Sequence, residues 1–508
     1  MSRELARPAL FFLHNASVKS CLRGNLRLVQ SGAMPPRQLV THSRVSEFVR
    51  KSVPRIWGGN QSSPAGKQVR ANWQNGFSVR RMFSSAGIRR AVEATPSPTT
   101  STATPAGRVV TDKKVGYWLI GSACLVFGIV ILGGLTRLTE SGLSITEWKP
   151  IAGSIPPITQ EEWDDEFSKY KLSPEFKLLN SNITLEEFKS IFYMEWGHRL
   201  WGRAIGLLFV IPGIYFVAAK KTSSHITRRI LIIAGLIGFQ GFIGWWMVKS
   251  GLSDHFLAED TADGKYKDNH PRVSQYRLAT HLGLAFVVYL AMMWNGLEIL
   301  KENRWAKDPK AAFESFAMLN NPALRKYKLA ATALLGLVFT TAMSGAFVAG
   351  LDAGLVYNSF PYMGEGFVPP KSELFSSFYA RNPDDSDLVW RNMLENPVTV
   401  QLTHRILATT AFCTVVGFHI ASTRLFKRGL LPRNVFRASH GVIGFALLQV
   451  TLGISTLLYL VPIPLAASHQ AGSLALLTEV LILCLRLRRP RGPLVKALLD
   501  GVSKVGSK

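Results

Sequence analysis

The 508-residue chain has little charge and few cysteines for its length. Charged residues make up 18% and hydrophobic residues 47%, and a soluble protein needs more charge to cover its surface. This composition excludes a string of soluble domains. The four cysteines, Cys21, Cys124, Cys413 and Cys484, form no CxxC pair, and the last three fall in apolar stretches. Neither a disulfide framework nor a thiolate metal site is supported.

Acidic residues are also scarce, with 33 Asp and Glu against 59 Lys and Arg. Residues 1–83 hold 14 of the bases but only two of the acids. This composition is typical of a mitochondrial transit peptide, cleaved near Phe83, although a disordered basic tail has the same composition. Residues 84–112 read as a flexible matrix linker. No basic face alternates with stacking aromatics, so we expect no nucleic-acid partner.

Eight mostly apolar stretches are each long enough to cross a bilayer as a helix. The chain is therefore predicted to be an all-α integral membrane protein with eight transmembrane helices. The predicted spans are approximately 115–135, 197–219, 228–249, 276–300, 328–350, 399–423, 435–460 and 463–486.

The distribution of charge between the loops predicts the orientation. Short loops after the second, fourth and sixth spans are rich in Lys and Arg, whereas residues 138–195 hold eleven acids and five bases. Basic loops stay on the side from which a helix is inserted. With the transit peptide, this predicts a multi-pass protein of the mitochondrial inner membrane with both termini in the matrix.

The sequence repeats itself at about 210 residues. Glu195-Trp-Gly-His-Arg199 matches Gln401-Leu-Thr-His-Arg405, and Gln240 and Gly244 match Gln449 and Gly453. Each half has four spans, which predicts parallel repeats and two fused, pseudo-symmetric four-helix bundles. The predicted domains after the linker are 113–300, the N-terminal bundle; 301–327, a matrix linker; 328–487, the C-terminal bundle; and 488–508, a basic matrix tail.

Four histidines in the spans are matched between the halves: His198, His281, His404 and His469. Each falls within about two turns of the outer end of an even-numbered span. Two imidazoles at equal depth on facing helices can bind one haem iron from opposite sides. A single membrane histidine is more often a hydrogen-bonding or proton-relay residue, but four matched ones favour two bis-histidine haem sites and no separate metal site. Gly197, Gly202, Gly206, Gly283 and Gly472 offer room for a flat macrocycle, or simply allow close helix packing.

The halves differ in one acid beside the histidines. Glu195 lies three residues before His198 and shares its helix face, whereas the matching residue is Gln401. A carboxylate beside an iron site can transfer protons, which predicts chemistry in the first half and electron transfer in the second. The alternative is an interfacial acid favoured by the helix dipole. Arg199 and Arg405 are candidate partners of haem propionates or plain interfacial anchors. Glu140 is a second-rank catalytic candidate.

The run Gly-Gly-Leu-Thr-Arg-Leu-Thr-Glu-Ser-Gly-Leu-Ser at 133–144, the Glu-Trp-Gly-His-Arg motif at 195–199 and the later histidines resemble the haem A synthase family. The resemblance covers roughly residues 110–487. It implies oxidation of the C8 methyl of haem O to a formyl group, giving haem A for cytochrome c oxidase. It also implies that His198 and His281 hold the substrate haem O, that His404 and His469 ligate a haem b cofactor, and that Glu195 is the catalytic carboxylate.

The same resemblance implies a ferredoxin with its reductase as electron donor, and haem O synthase, oxidase assembly factors and a second copy of the chain as candidate partners. Two other functions fit parts of the pattern. A dihaem b-type cytochrome needs the four histidines but no acid confined to one half. A transporter fits the parallel repeats but requires a polar site at mid-membrane, where the spans carry few charges.

Overall fold

The protein is described here from a computed structural model, which covers residues 109–253, 256 and 270–506. Two predicted segments lie outside the described residues. They are the transit peptide, with Cys21 and the cleavage site near Phe83, and all but the last residues of the 84–112 linker. Within the described part the chain is helical, and no β-strand is formed beyond one bridge between Met363 and Gly366.

Fourteen α-helices follow one another along the described chain. They are α1 (Lys113–Leu138), α2 (Gln160–Lys171), α3 (Pro174–Leu178), α4 (Leu185–Ala218), α5 (Ser224–Gly251), α6 (Gln275–Lys307), α7 (Pro309–Leu319), α8 (Leu324–Gly350), α9 (Lys371–Leu374), α10 (Leu388–Glu395), α11 (Pro397–Lys427), α12 (Arg433–Leu458), α13 (Ile463–Leu487) and α14 (Gly492–Gly506).

Eight of these helices are long and apolar enough to cross a membrane, which confirms the predicted all-α membrane class. They are α1, α4, α5, α6, α8, α11, α12 and α13. Seven begin within four residues of the predicted start. The exception is α4, which begins at Leu185 rather than near residue 197. Thr184 and Glu187 form a capping box there, and each satisfies backbone N–H groups of the first turn.

The early start of α4 bears on the positions of His198 and Glu195. His198 lies thirteen residues into its helix, nearly four turns, whereas His281, His404 and His469 lie six or seven residues into theirs. His198 is therefore farther from the start of its helix than the other three histidines, and its depth below the outer end of the membrane span stays a prediction. Glu195 is likewise far from the first turn, so the helix dipole does not explain its position.

The transmembrane helices of each half pack in the same order. In the first half α1 contacts α4 and α6, and α5 contacts the same two helices; in the second, α8 and α12 each contact α11 and α13. The halves meet where α6 packs on α8 and where α13 packs on α1 and α6. One continuous set of buried apolar side chains, from Val115 to Leu487, runs through both halves.

Both described chain ends lie on one side of the bundle, here called the terminal side. The backbone N–H of Asp112, just before α1, donates to Lys221 O after α4, and Arg491 Nε, after α13, donates to Glu302 Oε1 near the end of α6. This agrees with an even number of spans. Which membrane face the terminal side occupies stays a prediction.

A small aromatic cap covers the opposite side of the first half. Trp163, Phe167 and Tyr170 of α2 pack against Phe188 and Phe192, which lie on the polar extension of α4. The cap thereby fixes the loop after α1 against α4, just above the predicted site.

Candidate functional site

The four predicted histidines form two facing pairs, one in each half. His198 on α4 and His281 on α6 lie within electrostatic range of each other. The same is true of His404 on α11 and His469 on α13. The structure thus brings together the members of each predicted pair.

Each imidazole lies against a glycine of a neighbouring helix. A Cβ placed on Gly133 would lie 3.1 Å from His198 Nε2, and one on Gly244 would lie 3.1 Å from His281 Cε1. In the second half the corresponding distances are 3.2 Å from Gly345 to His404 Cε1 and 2.8 Å from Gly453 to His469 Cε1. The rings therefore occupy space that any other residue would partly fill.

These four glycines are not the ones selected as room for a macrocycle. A Cβ on Gly197 or Gly206 would meet nothing within 4 Å, and one on Gly202, Gly283 or Gly472 would meet side chains other than the histidines. The repeat itself contained one correct pair, because Gly244 matches Gly453; Gly133 matches Ser344, the residue before Gly345. Sequence spacing did not indicate which helix each glycine would face.

The free ring nitrogens suit coordination of an iron. His404 Nδ1 lies 2.7 Å from Ser344 Oγ, which can accept from Nδ1–H and leave Nε2 for a ligand, whereas Gln449 Nε2 donates to His469 Nδ1 at 3.0 Å. In the first half His281 Nδ1 is buried without a hydrogen-bond partner. Gln240 and Gln449 both donate at 2.8 Å to the backbone carbonyl of the facing histidine, His281 or His469. Such outer contacts orient metal-binding imidazoles, so the residues present fit a haem in each half.

Glu195 is buried and its carboxylate is fully bonded. It is 2% exposed; Oε2 accepts from Ser144 Oγ at 2.7 Å and from Ile145 N at 2.8 Å. Oε1 accepts from Arg199 Nη2 at 2.6 Å and Nε at 3.1 Å. A buried carboxylate needs such a counter-charge and donors to remain ionised. The outer loop thereby holds the acid on the His198 face of α4.

Gln401 occupies the matching place in the second half with a different bonding pattern. Its amide nitrogen donates to Ala353 O at 2.9 Å and Tyr357 O at 3.1 Å, and Arg405 Nη2 also binds Tyr357 O at 3.0 Å. The Gln401 side chain therefore fixes the backbone of the loop after α8. The halves therefore share the histidine geometry but differ in the chemistry beside it.

Arg199 and Arg405 have protein partners. Arg199 Nη2 also donates to Ile145 O at 3.0 Å, and Arg405 Nη1 donates to Tyr362 O at 3.2 Å, while Arg405 Nε is buried without a partner. Contact with haem propionates stays a prediction for both. Glu140 is exposed and has a left-handed backbone, with φ of 53°.

Asp352, the counterpart of Glu140, joins the two halves. Its φ is 52°, and its carboxylate accepts two hydrogen bonds from Arg137 Nη2 on α1, at 2.7 and 2.8 Å. Arg272 approaches the same carboxylate at 3.5 Å. The contact of Asp352 with Arg137 was not predicted from sequence.

Glu175 is a buried acid that sequence reasoning missed. It lies on α3 in the aromatic cap, is 3% exposed, and its Oε2 has no hydrogen-bond partner. Burial, followed by the negative charge of Glu195, raises the pKa of Glu175 to about 8. The carboxyl is thus protonated at neutral pH.

Comparison with known proteins gives concordant matches. The family model described as cytochrome oxidase assembly protein matches residues 116–481. The chain is 56% identical over 392 residues to heme A synthase COX15 of Saccharomyces cerevisiae, covering 77% of this chain and 79% of that protein. It is 47% identical over 378 residues to heme A synthase COX15 of Homo sapiens, covering 74% and 83%.

A third relative carries an additional domain. The heme A synthase-mitochondrial ferredoxin fusion protein of Schizosaccharomyces pombe is 50% identical over 382 residues, covering 74% of this chain and 60% of that protein. With two matched histidine sites in an eight-helix membrane bundle and these relatives across its length, the chain belongs to the cytochrome oxidase assembly family that includes the haem A synthases.

Proposed function

We propose that the chain is a haem A synthase, an oxidoreductase that converts the C8 methyl of haem O to the formyl group of haem A. One observation carries the proposal: two equivalent histidine pairs are present, but a buried carboxylate stands beside only one of them. The resulting haem A serves cytochrome c oxidase. The names of the relatives support this activity.

The first half holds the substrate. His198 and His281 would hold the iron of haem O, with Gly133 and Gly244 giving the rings their space. Oxidising a methyl group releases protons, and Glu195 is the acid–base group beside the substrate. Ser144, Ile145 N and Arg199 hold its carboxylate in place, so it need not reorganise during the reaction.

The second half holds the cofactor. His404 and His469 ligate haem b, which supplies one-electron chemistry when bound. Ser344 and Gln449 orient the two imidazoles through Nδ1. Gln401 has no acid–base function and instead fixes the loop after α8.

The electron donor we propose is a ferredoxin, supplied with electrons by its reductase. The fused mitochondrial ferredoxin of the Schizosaccharomyces pombe relative supports this partner.

We also propose that the protein lies in the inner mitochondrial membrane, with the terminal side in the matrix. The proposed domain boundaries are those given above, with the substrate bound in 113–300 and the cofactor in 328–487. Haem O synthase, oxidase assembly factors and a second copy of the chain stay predicted partners.

A dihaem b-type cytochrome is the second candidate, because the glycine–histidine contacts are alike in the two halves. Extraction of haem from the purified protein separates the two functions. A synthase yields haem O or haem A beside haem b. Haem b alone, from cells that make haem O, would establish the cytochrome and refute the synthase.

A further inference from the structure

A cavity of about 490 Å³ lies between α11 and α12 on the terminal side. It is far from the four histidines of the candidate site: His404 lies near the other end of α11, and the other three lie on α4, α6 and α13. Its lining consists of Phe426, Arg433, Phe436, Arg437 and His440.

The mouth of the cavity is strongly basic. Arg433 and Arg437 are exposed, and within the described part of the chain neither forms an ion pair with a carboxylate. The segment 424–437 contains five Lys or Arg residues and no acid. The first turn of α12 adds to this charge, because its N-cap residue Pro432 offers no capping side chain to the helix N–H groups. The cavity therefore attracts an anion.

The interior of the cavity is aromatic. The rings of Phe426 and Phe436 stack with centroids 4.2 Å apart, and His440 packs edge-on against Phe436 at 4.4 Å. His440 lies seven residues beyond Arg433, about 10 Å further along the helix. Since α12 is long and apolar enough to cross a membrane, a cavity along its first two turns would extend from the interface toward the apolar layer. A ligand that fills it needs an anionic head and an apolar body.

We propose that this cavity binds one anionic phospholipid of the leaflet on the terminal side. Arg433 and Arg437 bind its phosphate, and the Phe426–Phe436 pair contacts the start of its acyl chains. Basic pockets between transmembrane helices recognise anionic lipid head groups in this way. An acidic protein fits less well, because the lining includes aromatic side chains on a helix that is long and apolar enough to cross a membrane.

The first half of the chain lacks this cavity's chemistry. Arg437 matches Arg228 in the repeat, but Phe436 matches Thr227 and His440 matches Leu231. The two halves thus share a basic residue at this position, but the first half has no aromatic residues where the cavity interior lies in the second. This difference provides a matched control.

The test is native mass spectrometry of the full chain in mixed micelles that contain equal amounts of phosphatidylglycerol and phosphatidylcholine. We expect the wild type to retain one phosphatidylglycerol. Arg433→Gln/Arg437→Gln should bind it about thirty-fold more weakly, and Lys220→Gln/Arg228→Gln, which removes two charges from the same side, should bind it normally. The haem absorption spectrum of each variant reports that it is folded.

Three outcomes would overturn the proposal: equal retention of the two lipids, retention unchanged in Arg433→Gln/Arg437→Gln, or equal losses in both double variants. Inorganic phosphate in excess separates a lipid site from a simple phosphate site. Displacement of the lipid by phosphate alone would also contradict a lipid site.

Discussion

Gly453 of α12 lies directly against the imidazole of His469 of α13, so that a Cβ would approach ring atom Cε1 to 2.8 Å. This is closer than side chains ordinarily pack, and the ring would have to move. The contact makes the glycine part of the proposed cofactor site although it has no chemistry of its own.

The substitution Gly453→Ala should therefore reduce the amount of bound haem b at least several-fold, measured by the pyridine haemochrome spectrum. Alanine favours a helix over glycine by roughly 1 kcal/mol, so general instability is not expected. Gly444→Ala on the same helix is the control, because a Cβ there meets nothing within 4 Å. Equal haem b in both variants would show that His469 does not depend on this contact.

Replacing His404 or His469 by Ala should remove the b-type spectrum, since an iron that loses one axial ligand becomes five-coordinate or is released. Replacing His198 or His281 should instead leave haem b in place and abolish retention of haem O. Optical spectra and haem extraction from each variant measure the two pools. If all four variants lose haem b equally, the assignment of one pair to the cofactor is wrong.

Glu195→Gln should lower the ratio of haem A to haem O in membranes by a factor of about 10² to 10⁴, because the variant loses its proton-accepting carboxylate. Both carboxylate oxygens accept hydrogen bonds from two donors, so the amide also leaves a donor unpaired, at a cost of about 1–3 kcal/mol in stability. Protein levels must therefore be matched before the ratio is compared.

Glu186→Gln is the control for this change, since Glu186 is exposed on the first turn of the same helix. It should leave the ratio unchanged. A ratio near wild type in Glu195→Gln would reduce Glu195 to a structural anchor of the outer loop.

The pKa of Glu175 predicts a loss of stability toward alkaline pH. Its folded pKa of about 8 exceeds the ordinary value of 4.5, so the folded state holds the proton more tightly than the unfolded state. Stability therefore falls as pH rises between these two values, by about 2 kcal/mol from pH 6 to pH 8. Glu175→Gln should remove this pH-dependent part of the free energy of unfolding. The thermal unfolding midpoint should then differ less between pH 6 and pH 8 than it does in the wild type. An unchanged difference would mean that Glu175 is not the titrating group.

The predicted orientation in the membrane determines which segments of the chain a protease can reach in mitoplasts. A protease site introduced between residues 150 and 190 should be cut in mitoplasts, whereas a tag after residue 490 should be protected by the inner membrane. The reverse pattern would place the terminal side in the intermembrane space.

The eight spans and the paired histidines were predictable from sequence, because membrane helices are long apolar runs and a duplication presents every ligand twice. The extension of α4 was not recognised, since a hydropathy pattern detects only the apolar part of a helix. The Thr184–Glu187 capping box in the sequence nevertheless indicates a helix start at this point. The partners of Glu195 were out of reach, because Ser144 lies 51 residues away and loop contacts follow no period.

The contact between Arg137 and Asp352 has a consequence for the speed of electron movement. It ties α1 to the second half near one end, and Gln470 of α13 ties it again through Val130 O at 2.7 Å. Two attachments on one helix oppose sliding or rocking of the halves. The gap between the two histidine pairs is then set by the protein and not by lateral pressure in the lipid. Tunnelling rates fall steeply with distance, so with haems bound as proposed this bracing would keep electron delivery to the first half constant as the surrounding bilayer changes.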